Sequence, residues 1–136
     1  MKSSWTMVKH LALFCSMAGV GLHLYTATFQ TEGGLSLFLV GLFLWSCAPY
    51  AVSLVLLLLA RKPVLAMGYG ATSLGFDIYT FVTVFVRPSS STAALGLIAI
   101  PFWNLVLFGP AGAFIAWVIF KAYSHKHNGK KGDALP

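Results

Sequence analysis

Four long runs of apolar residues follow one another along the chain, separated by short polar segments. The runs cover residues 10–29, 35–60, 64–86 and 93–123. A helix needs about 20 apolar residues to cross the ~30 Å hydrocarbon core of a bilayer, and each run is at least that long. The pattern therefore predicts an all-α integral membrane protein with four transmembrane helices packed in a compact bundle.

The connections between the runs are too short to form a second domain. The three polar breaks are residues 30–34, 61–63 and 87–92. We therefore predict one transmembrane domain over residues 1–123. Lysines and histidines are frequent in the remaining residues, 124–136, and this segment is predicted to be a basic, disordered cytoplasmic tail beside the headgroups of the lipid bilayer.

Composition and charge agree with this class and orient the helices. The chain is 58% hydrophobic and 9% charged, whereas soluble domains average about 25% charged residues. Of the 9 Lys and Arg residues, only Arg87 falls on the second side of a four-span arrangement. The positive-inside rule then predicts that both termini are cytoplasmic, and the short loops favour a multi-pass protein of a bacterial inner membrane. The net charge of +6 is thus a topology signal and requires no nucleic-acid partner.

Asp77 is the residue that departs most from the apolar pattern. It is one of 3 acidic residues in the chain, and it lies inside the third apolar run. A carboxylate near the centre of a bilayer costs several kcal/mol by most measures. Asp77 is therefore expected to face the interior of the protein and to have a polar partner there.

His23 is the partner that the sequence predicts. Counted from Lys9 and Pro63 at 1.5 Å per residue, His23 and Asp77 both lie about 21 Å from the same membrane face. Asn104 and Ser46 fall at similar depths, and Tyr50 and Ser73 lie one helical turn from Ser46 and Asp77. We expect His23 and Asp77 to meet, with Asn104 and either Tyr50 or Ser46 completing an intramembrane polar network. The full predicted set is His23, Asp77, Asn104, Ser46, Tyr50 and Ser73.

Small residues and prolines predict how the helices pack and bend. Small side chains let membrane helices approach closely, and the positions predicted to do so are Gly19, Gly70, Gly109, Gly112 and Ala113. Prolines remove a helical hydrogen bond, and kinks are predicted at Pro49, Pro101 and Pro110. In regular α-helical spacing, Pro101 and Pro110 would leave the carbonyls of Leu97 and Val106 without a donor.

The sequence offers no enzymatic site, metal site or cofactor site. A membrane haem usually needs two facing histidines, and His23 is the only histidine predicted to lie within the bilayer, since His10 falls at the cytoplasmic surface. Ser73 has Ala71 where a nucleophile elbow requires glycine. Cys15 and Cys47 fall at different depths, which favours free thiols. We predict a protein that is not an enzyme and has neither metal nor cofactor.

Two classes of function remain open. The first is a small non-catalytic protein that binds another membrane-embedded polypeptide, either as an accessory subunit or as an immunity protein against a membrane-inserting toxin. Immunity proteins are similar in size and topology only. The alternative is a small oligomeric proton-coupled transporter or channel that uses Asp77 and His23. Assembly into a homo-oligomer is compatible with both classes.

Overall fold

The computed structural model describes residues 2–29, 36–86 and 93–132. Within these ranges the chain is helical apart from the start of the second helix and a short turn, and no strand occurs in them. The predicted loops 30–34 and 87–92 lie outside the described residues, as does the last part of the predicted tail, 133–136.

The helices follow the four apolar runs. They are α1 (Lys2–Phe29), α2 (Leu37–Leu58), α3 (Pro63–Phe81), α4 (Ala93–Trp103) and α5 (Gly109–Gly132). Two π-helical segments accompany them: Val82–Val86 extends α3, and Asn104–Phe108 joins α4 to α5. Because α4, the second π segment and α5 are contiguous, they form one long helix, called here the fourth helix.

Helix ends are set by local chemistry. The hydroxyl of Ser36 accepts a hydrogen bond from the N–H of Leu39 at 3.2 Å and caps α2. Pro63 occupies the first turn of α3, where its missing N–H has no consequence. In the turn between α2 and α3, Arg61 adopts a left-handed conformation with φ 53°. The N–H of Lys62 donates to the Leu56 carbonyl at 2.8 Å.

Both ends of the chain are helical beyond the apolar runs. α1 begins at Lys2, before the predicted start at residue 10. α5 continues to Gly132, so its backbone is helical across most of the segment expected to be a disordered tail. Lys and Ala are good helix formers, which allows a helix to continue past its apolar part.

Three helices in the described residues are long and apolar enough to cross a membrane. They are Trp5–Phe29, Leu37–Leu58 and Ile98–Ser124. The helix of the third apolar run, α3, is not among them, because glycines, hydroxyl residues and Asp77 lower its hydropathy. Of these residues, Gly68, Tyr69, Gly70, Ser73 and Asp77 are buried inside the protein, whereas Gly75 and Tyr79 are exposed. The more polar composition of α3 therefore reflects its position among the other helices.

α3 lies at the centre of the structure. It contacts α1, α2 and α5, while α2 also contacts α1 and α4. The backbones of α3 and α5 approach closely at Gly68 and Gly112: a Cβ added to either glycine would overlap the carbonyl group of the other. Trp45 of α2 donates from its indole N–H to the carbonyl of Ile98 in the fourth helix at 3.1 Å.

Candidate functional site

The carboxylate of Asp77 is buried on the inner side of α3. Its side chain is 2% exposed. The residues one and two turns before it, Tyr69, Gly70 and Ser73, are buried on the same side of the helix. The side of α3 that carries Asp77 is therefore the side that packs inside the protein.

Three donors surround the carboxylate. Nε2 of His23 lies 2.9 Å from Oδ2 of Asp77, and the hydroxyl of Tyr50 donates to the same oxygen at 2.5 Å. The side-chain amide of Asn104 donates to Oδ1 at 2.7 Å. We call Asp77, His23, Tyr50 and Asn104 the carboxylate network. Each of the four helices contributes one of its members.

The donors fit an ionised carboxylate. An ionised carboxylate only accepts hydrogen bonds, while a tyrosine hydroxyl and an asparagine amide group can both donate. Nε2 of His23 donates to Asp77 if the ring is protonated or if the neutral ring carries its proton there. The carboxylate of Asp77 thus has a hydrogen-bond partner on each of the other three helices, at 2.5–2.9 Å.

Tyr50 is held in place by a glycine on the neighbouring helix. Its ring is fully buried and lies against Gly19 of α1, where a Cβ would overlap the ring carbons. The imidazole of His23, one turn further along α1, lies 5.9 Å from the ring of Tyr50 between centroids. Because residue 19 has no side chain, the ring of Tyr50 fits against α1. From this position the tyrosine hydroxyl reaches Asp77.

Two predicted members of the network do not bond to Asp77. Ser46 is buried, and its hydroxyl finds no hydrogen-bond partner among the described residues. Ser73 is fully buried, and its Oγ likewise has no partner in the described part of the chain. Oδ1 of Asn104 is in the same situation. Of the two alternatives left open by the sequence, Tyr50 or Ser46, the structure brings Tyr50 to the carboxylate.

A second polar contact joins three helices away from Asp77. Ser53 of α2 donates to the carbonyl of Ala66 in α3 at 2.9 Å. The hydroxyl of Ser16 in α1 lies 3.1 Å from Ser53 Oγ and 3.0 Å from the carbonyl of Ala12, so its one proton is shared between two acceptors. The sequence did not predict that Ser16 and Ser53 meet.

A third polar contact concerns the expected effect of Pro110. The N–H of Gly109 bonds the carbonyl of Asn104, five residues earlier, as in a π-helix. At that spacing the next carbonyl, that of Leu105, would need the N–H of residue 110, which proline lacks. Tyr69 of α3 donates its hydroxyl to the Leu105 carbonyl at 3.3 Å. At the spacing seen for Gly109, proline therefore leaves the Leu105 carbonyl without a helical donor, in addition to the expectation for Val106 that regular α-helical spacing gave.

A second carbonyl of the same π segment, that of Phe108, also has a side chain of α3 within hydrogen-bonding distance. The hydroxyl of Thr72 lies 3.0 Å from the carbonyl of Phe108 and 2.9 Å from that of Gly68 in its own helix. Side chains of adjacent helices commonly satisfy backbone groups freed inside a membrane. Thr72 and Tyr69 together attach the irregular part of the fourth helix to α3.

The predicted packing residues have different environments. Gly109 receives the ring of Tyr69, Gly112 lies against Thr72 and Gly68, and Gly70 faces Ser53 Oγ, which would be 3.0 Å from an added Cβ. Ala113 is half-buried. Gly68 was not predicted as a packing position. It lies next to Tyr69 and one turn before Thr72, and both of these residues also contact the fourth helix. Pro49 and Pro101 are fully buried within their helices, while Pro110 is exposed.

A cavity lies beside the carboxylate network. Its volume is about 300 Å³, and His23, Ser46 and Asp77 contribute to its wall. The described residues contain no group of three His, Cys, Asp or Glu side chains that could hold a metal ion. Cys15 and Cys47 are both free thiols.

The comparisons with known proteins returned no relative for this chain. No protein-family model matches it, and neither the curated proteins nor the solved structures contain a significant match.

Proposed function

We propose that this protein is a non-catalytic component of a bacterial inner membrane that binds another membrane-embedded polypeptide. In this proposal the four helices form a compact bundle, α3 crosses the membrane among the other three, and both termini are cytoplasmic. The protein is surrounded by the lipid bilayer. The polypeptide that it recognises is a membrane subunit or a membrane-inserting toxin.

The observation that carries the proposal is the low burial of the fourth helix. Only 11% of its most apolar window is buried inside the protein, against 22% for the windows in α1 and α2. Four large aromatic residues on this helix are between 44% and 63% exposed: Phe102, Trp103, Phe114 and Trp117. Membrane helices associate through close packing, and aromatic side chains supply much of the contact area at interfaces.

The carboxylate network supports a binding role because its central acid is buried and bonded to all three neighbouring helices. Asp77 already accepts three hydrogen bonds and is 2% exposed. Such a network fixes the position of all four helices relative to one another. A rigid arrangement lowers the entropy cost of presenting a preformed surface to a partner.

Site-specific photocrosslinking tests the proposal. A photoreactive amino acid is placed at Phe114 on the fourth helix or, as a matched control, at Leu44 on α2; both side chains are 63% exposed. In native membranes we expect a discrete protein adduct from position 114 and lipid adducts alone from position 44. Lipid adducts alone at both positions would exclude a partner on this face.

A small proton-coupled transporter or channel is the second candidate. One observation favours it: the cavity reaches His23 and Asp77, so the ionisable pair is not completely enclosed. Intramembrane acids often act as proton carriers. Reconstitution of the wild type and Asp77→Asn in liposomes separates the candidates. A pH-dependent flux that is lost in the variant supports transport, whereas no flux in either protein supports the binding role.

A further inference from the structure

The cavity beside the carboxylate network is apolar over most of its wall. It is formed by the end of α1, the beginning of α2, the end of α3 with the Val82–Val86 segment, and α4. Leu22, Leu42, Phe43, Phe81 and Phe85 supply much of the apolar lining. Small-molecule sites in proteins measure ~300–1,000 Å³, and this cavity, at about 300 Å³, is at the lower end of that range. It has room for one short chain or one ring and is too small for a whole phospholipid.

The cavity wall contains few polar groups, and they differ in whether they already donate a hydrogen bond. The hydroxyls of Thr26 and Thr80 donate to carbonyls in their own helices, at 2.9 Å each. Their oxygen lone pairs therefore remain as acceptors. The hydroxyl of Ser46, in contrast, has no hydrogen-bond partner among the described residues and still has a proton to donate. A buried hydroxyl without a partner is costly, so a ligand that bonds to Ser46 would be favoured over a plain hydrocarbon.

We propose that the cavity binds one small, uncharged amphiphile from the bilayer, with its apolar part among the leucine and phenylalanine side chains and a hydroxyl group beside Ser46. A hydroxyl suits the wall because it accepts from Ser46 and donates to a threonine oxygen. A charged head group does not suit it, since Asp77 and His23 already satisfy one another and no further charged side chain lines the cavity among the described residues. The cavity is partly open among the described residues, so such a molecule can enter it from outside the protein.

The test uses decanol with a diazirine on its chain, added to the full chain in phosphatidylcholine nanodiscs. After illumination, we expect peptides that contain Phe43 and Phe85 to be labelled. Decanol should compete for this labelling, and decane, which has the same chain without the hydroxyl, should not. Ser46→Ala should weaken decanol competition about fivefold, which corresponds to the ~1 kcal/mol of one hydrogen bond.

Two cavity-filling variants and one surface control complete the test. Leu42→Trp and Ala27→Phe each place a larger side chain in the cavity, and each should reduce the labelling severalfold; the second remains informative if the first does not fold. Ala51→Phe, at an exposed position of α2, should leave labelling unchanged. Equal competition by decane and decanol would overturn the proposal, and so would labelling that persists in a folded, cavity-filled variant.

Discussion

The ring of Tyr50 lies directly against the backbone of Gly19, and this contact determines how the tyrosine reaches Asp77. Gly19 has no side chain to occupy the space, and an added Cβ would overlap the ring. The hydroxyl at the far end of the ring donates to Oδ2 of Asp77 at 2.5 Å. A packing position on α1 is thus coupled to a hydrogen bond between α2 and α3.

Gly19→Ala should therefore destabilise the protein although it changes no polar group. Inserting a methyl group into a filled interior costs ~1–3 kcal/mol, and displacement of Tyr50 would also weaken its bond to Asp77. Gly21→Ala is the matched control, because a Cβ at Gly21 meets nothing within 4 Å. In an exposed helical position, alanine is favoured over glycine by up to ~1 kcal/mol. Thermal unfolding of both variants in the same detergent measures the difference, and equal melting temperatures would contradict the coupling.

Asp77→Leu and Asp77→Asn should differ sharply in stability. Leucine leaves three donors without an acceptor, and removal of one partner from a buried ionic network costs ~3–5 kcal/mol. The asparagine amide can keep its oxygen toward His23 and Tyr50. Its NH₂ group can then donate to Asn104, whose unpartnered Oδ1 becomes available if that side chain flips. We expect Asp77→Asn to cost ~1 kcal/mol, comparable to one hydrogen bond.

Chemical or thermal unfolding of the two Asp77 variants in one detergent checks this difference. Asn104→Leu in the Asp77→Asn background is the control, because it removes the flipped acceptor. It should make the asparagine variant nearly as unstable as the leucine variant. A large loss of stability in Asp77→Asn alone would show that the network depends on the negative charge itself.

Depth along the helices was enough to predict the central contact. Counting from the predicted cytoplasmic face placed His23 and Asp77 at the same height and Asn104 at a similar one, and the structure brings all three together. The count could not choose between Tyr50 and Ser46, which are four residues apart on one face of α2. That choice depends on the ring of Tyr50 fitting against Gly19 of another helix, and such a fit is a property of two packed surfaces.

The irregular backbone could not be predicted for a similar reason. Pro110 indicates a lost hydrogen bond, but the helical spacing decides which carbonyl loses it. At the spacing of the π segment Asn104–Phe108, it is the Leu105 carbonyl, next to Tyr69 of α3. Sequence distance gives a residue's depth in a regular helix, whereas a local widening arises from contacts between helices.

Ser73→Ala should be neutral or slightly stabilising, and Ser53→Ala should be destabilising. Both serines are fully buried. Ser73 Oγ has no partner in the described part of the chain, so its replacement removes an unsatisfied group. Ser53 donates to Ala66 and lies within hydrogen-bonding distance of Ser16, and loss of these contacts should cost ~1 kcal/mol. Unfolding measured side by side in one detergent compares them, and a larger loss for Ser73→Ala would indicate a partner outside the described residues.

The bond from Tyr69 to Leu105 should matter only while residue 110 is proline. In the wild type, Tyr69→Phe leaves the partly buried Leu105 carbonyl without a donor, which should cost about 1 kcal/mol, the lower end of the range for unsatisfied buried acceptors. Pro110→Ala restores a backbone N–H within the same helix, which can bond that carbonyl or allow regular α-helical spacing to return. In this background we expect Tyr69→Phe to cost clearly less.

A double-mutant cycle of Tyr69→Phe and Pro110→Ala measures this interaction directly. The four proteins are unfolded in one detergent, and the interaction energy is the departure from additivity. For residues in contact, this energy is typically ~0.5–3 kcal/mol in magnitude. Gly75→Ala, at a position where a Cβ meets nothing within 4 Å, replaces Tyr69→Phe in a control cycle and should be additive with Pro110→Ala. Additivity of the Tyr69 and Pro110 changes would mean that the tyrosine stabilises the fourth helix by packing against Gly109 and not by serving the carbonyl that proline leaves unpaired.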